Sequence, residues 1–216
     1  MKIQAALMTK NEEESILCMI DELRKIGMTD IFLVDEYSTD RTVALAKEAN
    51  IPVYQREGKG KGYGVKMAIE IAANNGCDLL VLPDCDCTYP PREIPRLLNY
   101  FPEYDMVVGA RDLKRRVVFS HRIVNYLHTW TINLLFRARL KDINSGMRII
   151  KIDKFKGLLE GCGFDIEAQM TTRALKKKYS IKEVPISYER RRGKSKIRAW
   201  GAFVILKRIL KERVTR

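Results

Sequence analysis

The sequence predicts an α/β fold in which a mostly parallel sheet is flanked by helices, and three observations support this prediction. Short apolar runs alternate with amphipathic segments of helical periodicity along the first half of the chain. Clusters of polar residues follow the ends of the apolar runs. The chain has 216 residues, of which 46% are hydrophobic and 31% are charged, so we expect one ordered globular domain with a full core.

The first half contains repeated strand–helix units. Residues 3–8 form an apolar run typical of a strand, and residues 13–26 follow with apolar side chains along one helical face. The same two patterns predict strands over residues 30–34, 51–54, 79–82 and 105–108, and helices over residues 39–49, 63–74 and 91–100. Units of this kind pack as a parallel sheet, because a right-handed crossover returns each helix to the sheet.

The second half adds two predicted helices, over residues 120–137 and 165–178, and a strand-like segment over residues 181–188. The first of these helices has two stripes. The apolar stripe contains Ile123, Leu127, Trp130 and Leu134. The polar stripe contains Arg122, Asn125, Thr129 and Asn133. This helix either packs on the sheet or lies in a membrane interface with Trp130 and Phe136 in lipid.

The amphipathic tail over residues 198–213 is too short and too charged to span a bilayer. It could close the core, mediate dimerisation or attach to a membrane surface. We favour peripheral attachment, because each basic residue near an anionic membrane contributes about 1 kcal/mol.

The polar clusters should meet at one edge of the sheet, because ligands of parallel α/β sheets bind beyond the carboxyl ends of the strands. The clusters are Lys10-Asn11-Glu12, residues 35–40, residues 56–62 and Asp84-Cys85-Asp86. Ser38 or Thr39 is also expected to cap the helix that follows. The glycine–lysine run matches neither the P-loop nor the dinucleotide fingerprint. It is either a flexible turn or a loop that brings backbone amides and Lys59 to phosphate oxygens.

The acidic pair is the most informative of these clusters. Asp84 and Asp86 close the apolar run of residues 78–83, and two carboxylates at the end of a buried strand are costly unless a cation meets them. Mg²⁺ or Mn²⁺ carrying a nucleotide diphosphate would be a suitable partner. An isolated Asp-x-Asp is more often a solvated turn, so the neighbouring motifs decide the interpretation.

Charge is distributed unevenly along the chain. Residues 1–110 hold 12 Lys+Arg and 18 Asp+Glu, a net charge of −6, whereas residues 111–216 hold 28 and 9, a net charge of +19. This asymmetry favours an anionic partner, which could be nucleic acid, a phospholipid surface or a phosphorylated substrate. The basic run over residues 190–196 is either solvated or captures phosphate.

The compartment expected from the sequence is the cytoplasm. The start of the chain turns acidic too early for a signal peptide, and no apolar run reaches the length of a membrane span. The five cysteines, an odd number, argue against a disulfide framework. Cys85 and Cys87 are the only closely spaced pair in the sequence, so four zinc ligands are not expected.

The ordered motifs resemble glycosyltransferase family 2. The motifs are residues 9–16, 34–42, 58–62 and 84–91 in the first half, and residues 109–111, 120–125, 142–148 and 183–196 in the second. Together they are similar to the branch that makes dolichyl- and polyprenyl-phosphate sugars, over about residues 3–198. The resemblance implies a GT-A fold, with a single catalytic domain over residues 1–198 and an amphipathic tail over 199–216. Within that domain, residues 1–110 would bind nucleotide and the basic residues 111–198 would bind the acceptor.

The resemblance also implies roles for individual residues. Nucleotide-sugar binding is implied for Asn11, Glu12, Asp35, Arg56, Lys59, Asp84 and Cys85. A metal site for Mg²⁺ or Mn²⁺ is implied at Asp84 and Asp86. Catalytic positions are implied at Asp86, Arg111, Arg122 and Arg191, and acceptor-phosphate positions at Arg122, Arg148 and Arg191. His121 and His128 receive no catalytic role.

The implied reaction is the metal-dependent, inverting transfer of one sugar from a nucleotide diphosphate to the phosphate of a polyprenyl or dolichyl lipid. That phosphate is ionised near neutral pH, so no strong general base is needed. The donor stays open among GDP-mannose, UDP-glucose and UDP-N-acetylglucosamine. Met8, Lys10 and Glu36 depart from the usual motifs, and Thr88 replaces a glutamine of the mannose branch, which favours a UDP-sugar.

The sequence leaves two alternative functions open. A family 2 enzyme acting on a sugar hydroxyl would need a carboxylate base, for which Asp142 is the candidate. A basic nucleic-acid-binding module is disfavoured because no recognised nucleic-acid motif occurs, so no nucleic-acid partner is expected. We expect peripheral attachment to an anionic membrane on its cytoplasmic face, and a membrane-anchoring partner subunit is a possibility.

Overall fold

The computed structural model describes residues 1–112, 119–161, 163–193 and 200–215. Within these residues, seven strands form one sheet in the order β3-β2-β1-β4-β6-β5-β7. The strands are β1 Ile3–Thr9, β2 Ile31–Asp35, β3 Val53–Gln55, β4 Leu79–Leu82, β5 Met106–Arg111, β6 Arg148–Lys151 and β7 Ile181–Ile186. Adjacent strands are parallel except that β6 runs antiparallel to both β4 and β5. The predicted α/β class is confirmed.

Helices cover both faces of this sheet. They are α1 Ile16–Lys25, α2 Thr42–Glu48, α3 Lys61–Asn74, α4 Ile94–Leu98, α5 Phe119–Phe136, α6 Ile152–Phe155, α7 Ile166–Lys176 and α8 Trp200–Val214, and a 3₁₀ turn, Pro91–Glu93, precedes α4. Alternate residues of β1 point to opposite faces, with Leu7 in the core under α1 and α4, and Ala6 in the core under α3, α6 and α7. The apolar face predicted for α1 is fully buried.

Two helices begin later than the periodicity predicts, because carboxylates bind backbone amides where those helices were expected to begin. The side chain of Glu13 accepts the backbone N–H of Arg41, and Asp40 accepts the N–H groups of Glu13 and Thr42. These bonds join the loop after β1 to the loop after β2 instead of extending either helix. Neither Ser38 nor Thr39 caps α2, which begins at Thr42.

Strand β6 and helix α6 were not predicted. β6 inserts between β4 and β5, so the ends of those two strands are held apart at the edge where the polar clusters lie. The chain then enters α6 directly after β6. An antiparallel strand of four residues, three of them buried, has too little alternation to be recognised from the sequence.

The tail forms α8, which packs against α7 and α5. Ile209 of α8 is buried with Ile132, Ile143 and Ala168 in a small third core. Glu212 is also buried, and it accepts hydrogen bonds from Gln169 and Arg173 of α7. One side of the tail therefore closes a core, which was one of the roles expected for it.

Candidate functional site

A cleft of about 740 Å³ opens at the carboxyl edge of the sheet. It gathers the residues that follow β1 to β4, together with residues from the loop before β6, from α7, from the segment after β7 and from α8. Eight predicted site residues line it: Asn11, Glu12, Arg56, Lys59, Asp84, Cys85, Asp86 and Arg191. The expectation that the polar clusters meet at one edge is thus met by the geometry.

The two carboxylates of the acidic pair are held in different ways. Asp86 is buried, and its Oδ1 accepts the backbone N–H and the hydroxyl of Thr88, with an N···O distance of 3.0 Å. Its Oδ2 lies 3.0 Å from Nη1 of Arg191. Asp84 is more exposed, and one of its oxygens packs directly on the Cα of Gly146, where no side chain would fit. Tyr89 fixes this glycine by accepting its N–H at 2.8 Å.

Lys61 and Glu167 complete the acidic end of the cleft, and neither was predicted as a site residue. The ammonium of Lys61 forms ion pairs with both Asp84 and Glu167. Burial acts to lower the pKa of Lys61, but the two carboxylates outweigh it and raise that pKa above its ordinary value. The group therefore stays a cation in the cleft. Its position at the start of α3, directly after Gly60, was the available sequence signal.

The acidic pair fits a hard divalent ion. Both carboxylates face a concave site and are already balanced by protein cations, Lys61 at Asp84 and Arg191 at Asp86. The described part of the chain contains no cluster of three or more His, Cys, Asp or Glu side chains that could hold a metal. Substrate phosphates and water would therefore supply the other ligands, as is usual for Mg²⁺.

Glu36 organises another part of the cleft wall. Its carboxylate forms ion pairs with Lys10 and Arg56, and it accepts the backbone N–H of Gly60 at 3.0 Å. Burial lowers the pKa of Arg56. Asp35 was expected to contact the nucleotide, but it is fully buried and binds the side chains of Thr9 and Ser38. It shapes the loops beneath the cleft, and Glu36 lines the cleft in its place.

Three predicted arginines, Arg111, Arg122 and Arg148, do not line the cleft. Arg148 is 2% exposed, and its guanidinium donates to the carbonyls of Ser145 and Ile143 and to Thr171 Oγ1. The expectation that it holds the acceptor phosphate is wrong, because the group is sealed in the core. Arg111 forms a bidentate pair with the buried Asp142, at 2.7 and 2.8 Å, and does not line the cleft.

Helix α5 carries polar groups on its inner face. Asn125 and Thr129 lie one helical turn apart, are 3% and 5% exposed, and have buried side-chain polar atoms without hydrogen-bond partners. Arg122 lies one turn before them, outside the residues that line the cleft. His128 connects this helix to the cleft, because its ring bonds Asn144 at 3.1 Å and the carbonyl of Ala202 in α8 at 2.9 Å.

The outer face of α5 is apolar and exposed, and the outer face of α8 carries exposed apolar side chains beside exposed lysines. Trp130 and Leu134 are each 61% exposed, and Phe203 and Leu210 of α8 are 55% and 50% exposed. Ile123 and Leu127 extend the stripe on α5. Among the described residues, no helix combines the length and apolarity needed to cross a bilayer. The side chain of His121 and the basic residues 194–198 lie outside the described part of the chain.

The sequence matches a known family and several known proteins. The model of glycosyl transferase family 2 matches residues 5–156. The dolichyl-phosphate hexose transferase of Haloferax volcanii is 30% identical over 95% of this chain and 93% of its own length. The low-salt glycan biosynthesis hexosyltransferase Agl6 of the same organism is 30% identical over 92% of this chain, which spans only 50% of the relative's length. An undecaprenyl-phosphate mannosyltransferase of Micrococcus luteus is 27% identical over 91% of this chain and 88% of its own length.

Solved structures show the same fold. Glucosyl-3-phosphoglycerate synthase from Mycobacterium tuberculosis, in complex with Mn²⁺, uridine diphosphate and phosphoglyceric acid, superimposes with a TM-score of 0.81 at 18% identity. The match covers 100% of this chain and 79% of that structure. At this identity the likeness concerns the fold alone, which is the GT-A fold predicted from the motifs. From the family match and the relatives of similar length, the chain belongs to glycosyltransferase family 2.

Proposed function

We propose that this protein transfers a hexose from a nucleotide diphosphate to the phosphate of a polyprenyl lipid, in a reaction that requires Mg²⁺ or Mn²⁺. One observation carries the proposal. The cleft that contains the acidic pair is also lined by Gly201 and Ile205 of α8, a helix that exposes the apolar side chains of Phe203 and Leu210. A charged donor and an acceptor with a lipid tail would therefore reach the same cleft from different directions.

The donor end of the cleft suits a leaving diphosphate. Asp84 and Asp86 would hold the divalent ion, which when bound supplies Lewis-acid stabilisation of the diphosphate. Lys61 and Arg191 lie beside these carboxylates and would stabilise the negative charge that develops as the sugar bond breaks. The solved relatives of the same fold bind Mn²⁺ or Mg²⁺ with uridine diphosphate, which is consistent with this assignment.

The acceptor end requires a cationic site but no strong base. A phosphate monoester is ionised near neutral pH and attacks the sugar carbon directly, so inversion by a single displacement is the expected course. Arg191 lines the cleft, and Arg122 shares the inner side of α5 with the unpartnered groups of Asn125 and Thr129. The guanidinium groups of Arg191 and Arg122 are suitable donors for phosphate oxygens, whereas the side chains of Asn125 and Thr129 are buried. Arg148 is excluded from this set by its burial.

Membrane attachment would follow from the exposed apolar faces of α5 and α8 and from the net charge of +19 in residues 111–216. The names of two relatives, a dolichyl-phosphate hexose transferase and an undecaprenyl-phosphate mannosyltransferase, are consistent with a lipid-linked product. We place the protein on the cytoplasmic face, where nucleotide sugars are made.

The family match argues against a nucleic-acid-binding function. Transfer to a sugar hydroxyl is the remaining alternative. The base proposed for that reaction, Asp142, is fully buried in its pair with Arg111 and is unsuitable. Glu167 is the carboxylate that the structure offers instead, because it lines the cleft. Product analysis therefore has to compare both acceptor classes.

The test is a panel of UDP-glucose, UDP-N-acetylglucosamine and GDP-mannose with Mn²⁺ and a short polyprenyl phosphate, followed by mass spectrometry of the lipid. One donor should give a product larger by its own sugar unit, hexosyl or N-acetylhexosaminyl, and addition of a chelator should abolish it. Asp86→Asn should remove activity. Asp78→Asn is the matched control, since Asp78 lies at the opposite end of the same strand and is exposed. Transfer to soluble sugars alone would refute the lipid acceptor.

Vesicle binding tests the membrane surface separately. Trp130→Glu together with Leu134→Glu should weaken cosedimentation with anionic vesicles several-fold, because both exposed side chains would lose their apolar contact with lipid. Leu17→Glu is the control, since Leu17 is 41% exposed on α1. Equal binding by all three proteins would contradict attachment through α5.

A further inference from the structure

We propose that Lys61 is an exchangeable counter-ion. In the free protein its ammonium occupies the cation position at Asp84. When a divalent ion binds the acidic pair, Lys61 leaves Asp84, remains paired with Glu167 and turns to the donor diphosphate. This inference rests on the proposed metal-dependent transfer and adds a role for a lysine that the motif analysis passed over in favour of Lys59.

The contacts at Asp84 show why an incoming ion must compete with this lysine. Lys61 Nζ pairs with Oδ1 of Asp84 and with Oε1 of Glu167. The other carboxylate oxygen, Oδ2, packs against Gly146. An ion approaching Asp84 therefore meets one oxygen covered by an ammonium and one pressed against backbone. The more accessible change is movement of the ammonium, which only requires rotation of side-chain bonds.

Local structure gives Lys61 the freedom for this movement. It is the first residue of α3, and it follows Gly58 and Gly60, whose φ values of 84° and 114° lie in the region that favours glycine. A lysine side chain has a flexible four-carbon stem and three rotatable N–H donors. Glu167 stands on a different element, the first turn of α7, and so retains the ammonium when Asp84 is taken by the metal.

The charges at the acidic end of the cleft make the exchange favourable. The carboxylates of Asp84, Asp86 and Glu167 exceed the cations of Lys61 and Arg191 by one negative charge. A divalent ion would reverse that excess to positive, and the diphosphate it carries would then restore a negative balance. The displaced ammonium thus gains a new anionic partner only when metal and nucleotide are both present.

Opposite effects on two binding equilibria follow from this competition. Lys61→Gln removes the competitor for Asp84, so Mn²⁺ alone should bind about 3- to 5-fold more tightly, the range expected for a partly exposed ion pair. The same change removes a cationic donor to the diphosphate, so nucleotide in the presence of Mn²⁺ should bind at least about 10-fold more weakly. Replacement of a purely structural lysine would not change the affinities for Mn²⁺ and for nucleotide in opposite directions.

The experiment measures free Mn²⁺ by electron paramagnetic resonance during titration of the full chain, without nucleotide and with saturating UDP or GDP. Lys66→Gln is the matched control, because Lys66 lies on the same helix but donates to the carbonyl of Glu160. It should leave both equilibria within about 2-fold of the wild type. Lys61→Arg keeps the charge and should restore the competition, which covers the case in which Lys61→Gln folds poorly.

The outcomes separate the inference from the function on which it rests. Tighter Mn²⁺ binding without nucleotide and weaker nucleotide binding with Mn²⁺ would support exchange. Unchanged or weakened Mn²⁺ binding in Lys61→Gln, with normal binding in the wild type, would overturn exchange and leave the metal site intact. A wild type that binds no Mn²⁺ under either condition would overturn the metal-dependent function itself, and exchange with it.

Discussion

Gly146→Ala is a sharp test of the acidic pair, because the structure leaves no room for a side chain there. The new Cβ would lie 2.9 Å from Oδ1 of Asp84 and closer still to Oδ2, whereas ordinary contact begins at 3.4 Å. Asp84 would have to shift by at least about 1 Å. Functional groups generally need to stay within about 0.5 Å of their productive positions. We expect kcat/KM to fall by about 100-fold, the typical loss for a misplacement of this size.

The overall fold should survive this change. Overpacking by one methyl group usually costs about 1–3 kcal/mol, and for a domain of this length each kcal/mol lowers Tm by about 2–4 °C. The assays are thermal unfolding, Mn²⁺ titration and sugar transfer. Donor and metal binding should decline far more than stability, because the strain falls on a carboxylate at the edge of the cleft.

Gly109→Ala provides the comparison. Its Cβ would meet the end of the Ile186 side chain at 2.5 Å, so it overpacks the core beneath the sheet and leaves the acidic pair untouched. It should lower Tm with little change in donor affinity. If both variants lowered Tm and activity in the same proportion, or if Gly146→Ala kept normal Mn²⁺ affinity, the assignment of Asp84 as a ligand would be refuted.

Three further changes test other parts of the structure. Arg148→Met should lower Tm by several degrees, since it leaves buried carbonyls unpaired, with unchanged KM for polyprenyl phosphate; a raised KM would restore its acceptor role. Glu212→Gln should lower the free energy of unfolding by about 2 kcal/mol, because Arg173 loses its buried anionic partner while Arg208 keeps the buried Asp165; an unchanged Tm would contradict this. Burial lowers the pKa of His128, so stability should fall as pH drops below about 6.5 toward that lowered value, and His128→Gln should flatten this part of the Tm–pH curve.

The sequence was sufficient for the parallel part of the fold because its signals are local. Strands β1, β2 and β4 are short apolar runs followed by polar residues, and the apolar face of α1 is a clear helical stripe. Strand β6 was missed because its four residues, three of them buried, show too little alternation. The late starts of α1 and α2 depend on bonds between two loops, which no local pattern reports.

The site residues also divide into those with a local sequence signal and those that depend on tertiary packing. Asp84 and Asp86 were predictable because they end a buried strand, which fixes their place at the edge of the sheet. Arg148 was misassigned because a motif position gives no information on whether the side chain faces the cleft or the core. Glu167 could not be identified from the sequence, since its approach to Lys61 depends on how α7 packs near α3. The type of a residue thus indicates what chemistry it could perform, and tertiary packing determines which residues of that type lie in the cleft.

Helix α8 connects the proposed membrane surface to the chemistry through its different sides. Gly201 and Ile205 line the cleft, Ile209 is buried in the third core, and Phe203 and Leu210 face outward. The helix is held on α7 by ion pairs that include the buried Glu212. Because one helix carries all these contacts, a change in the position of its outer face would also move the wall of the cleft. Insertion of that face into lipid would then align the cleft with the headgroup region, where the phosphate of a polyprenyl acceptor lies.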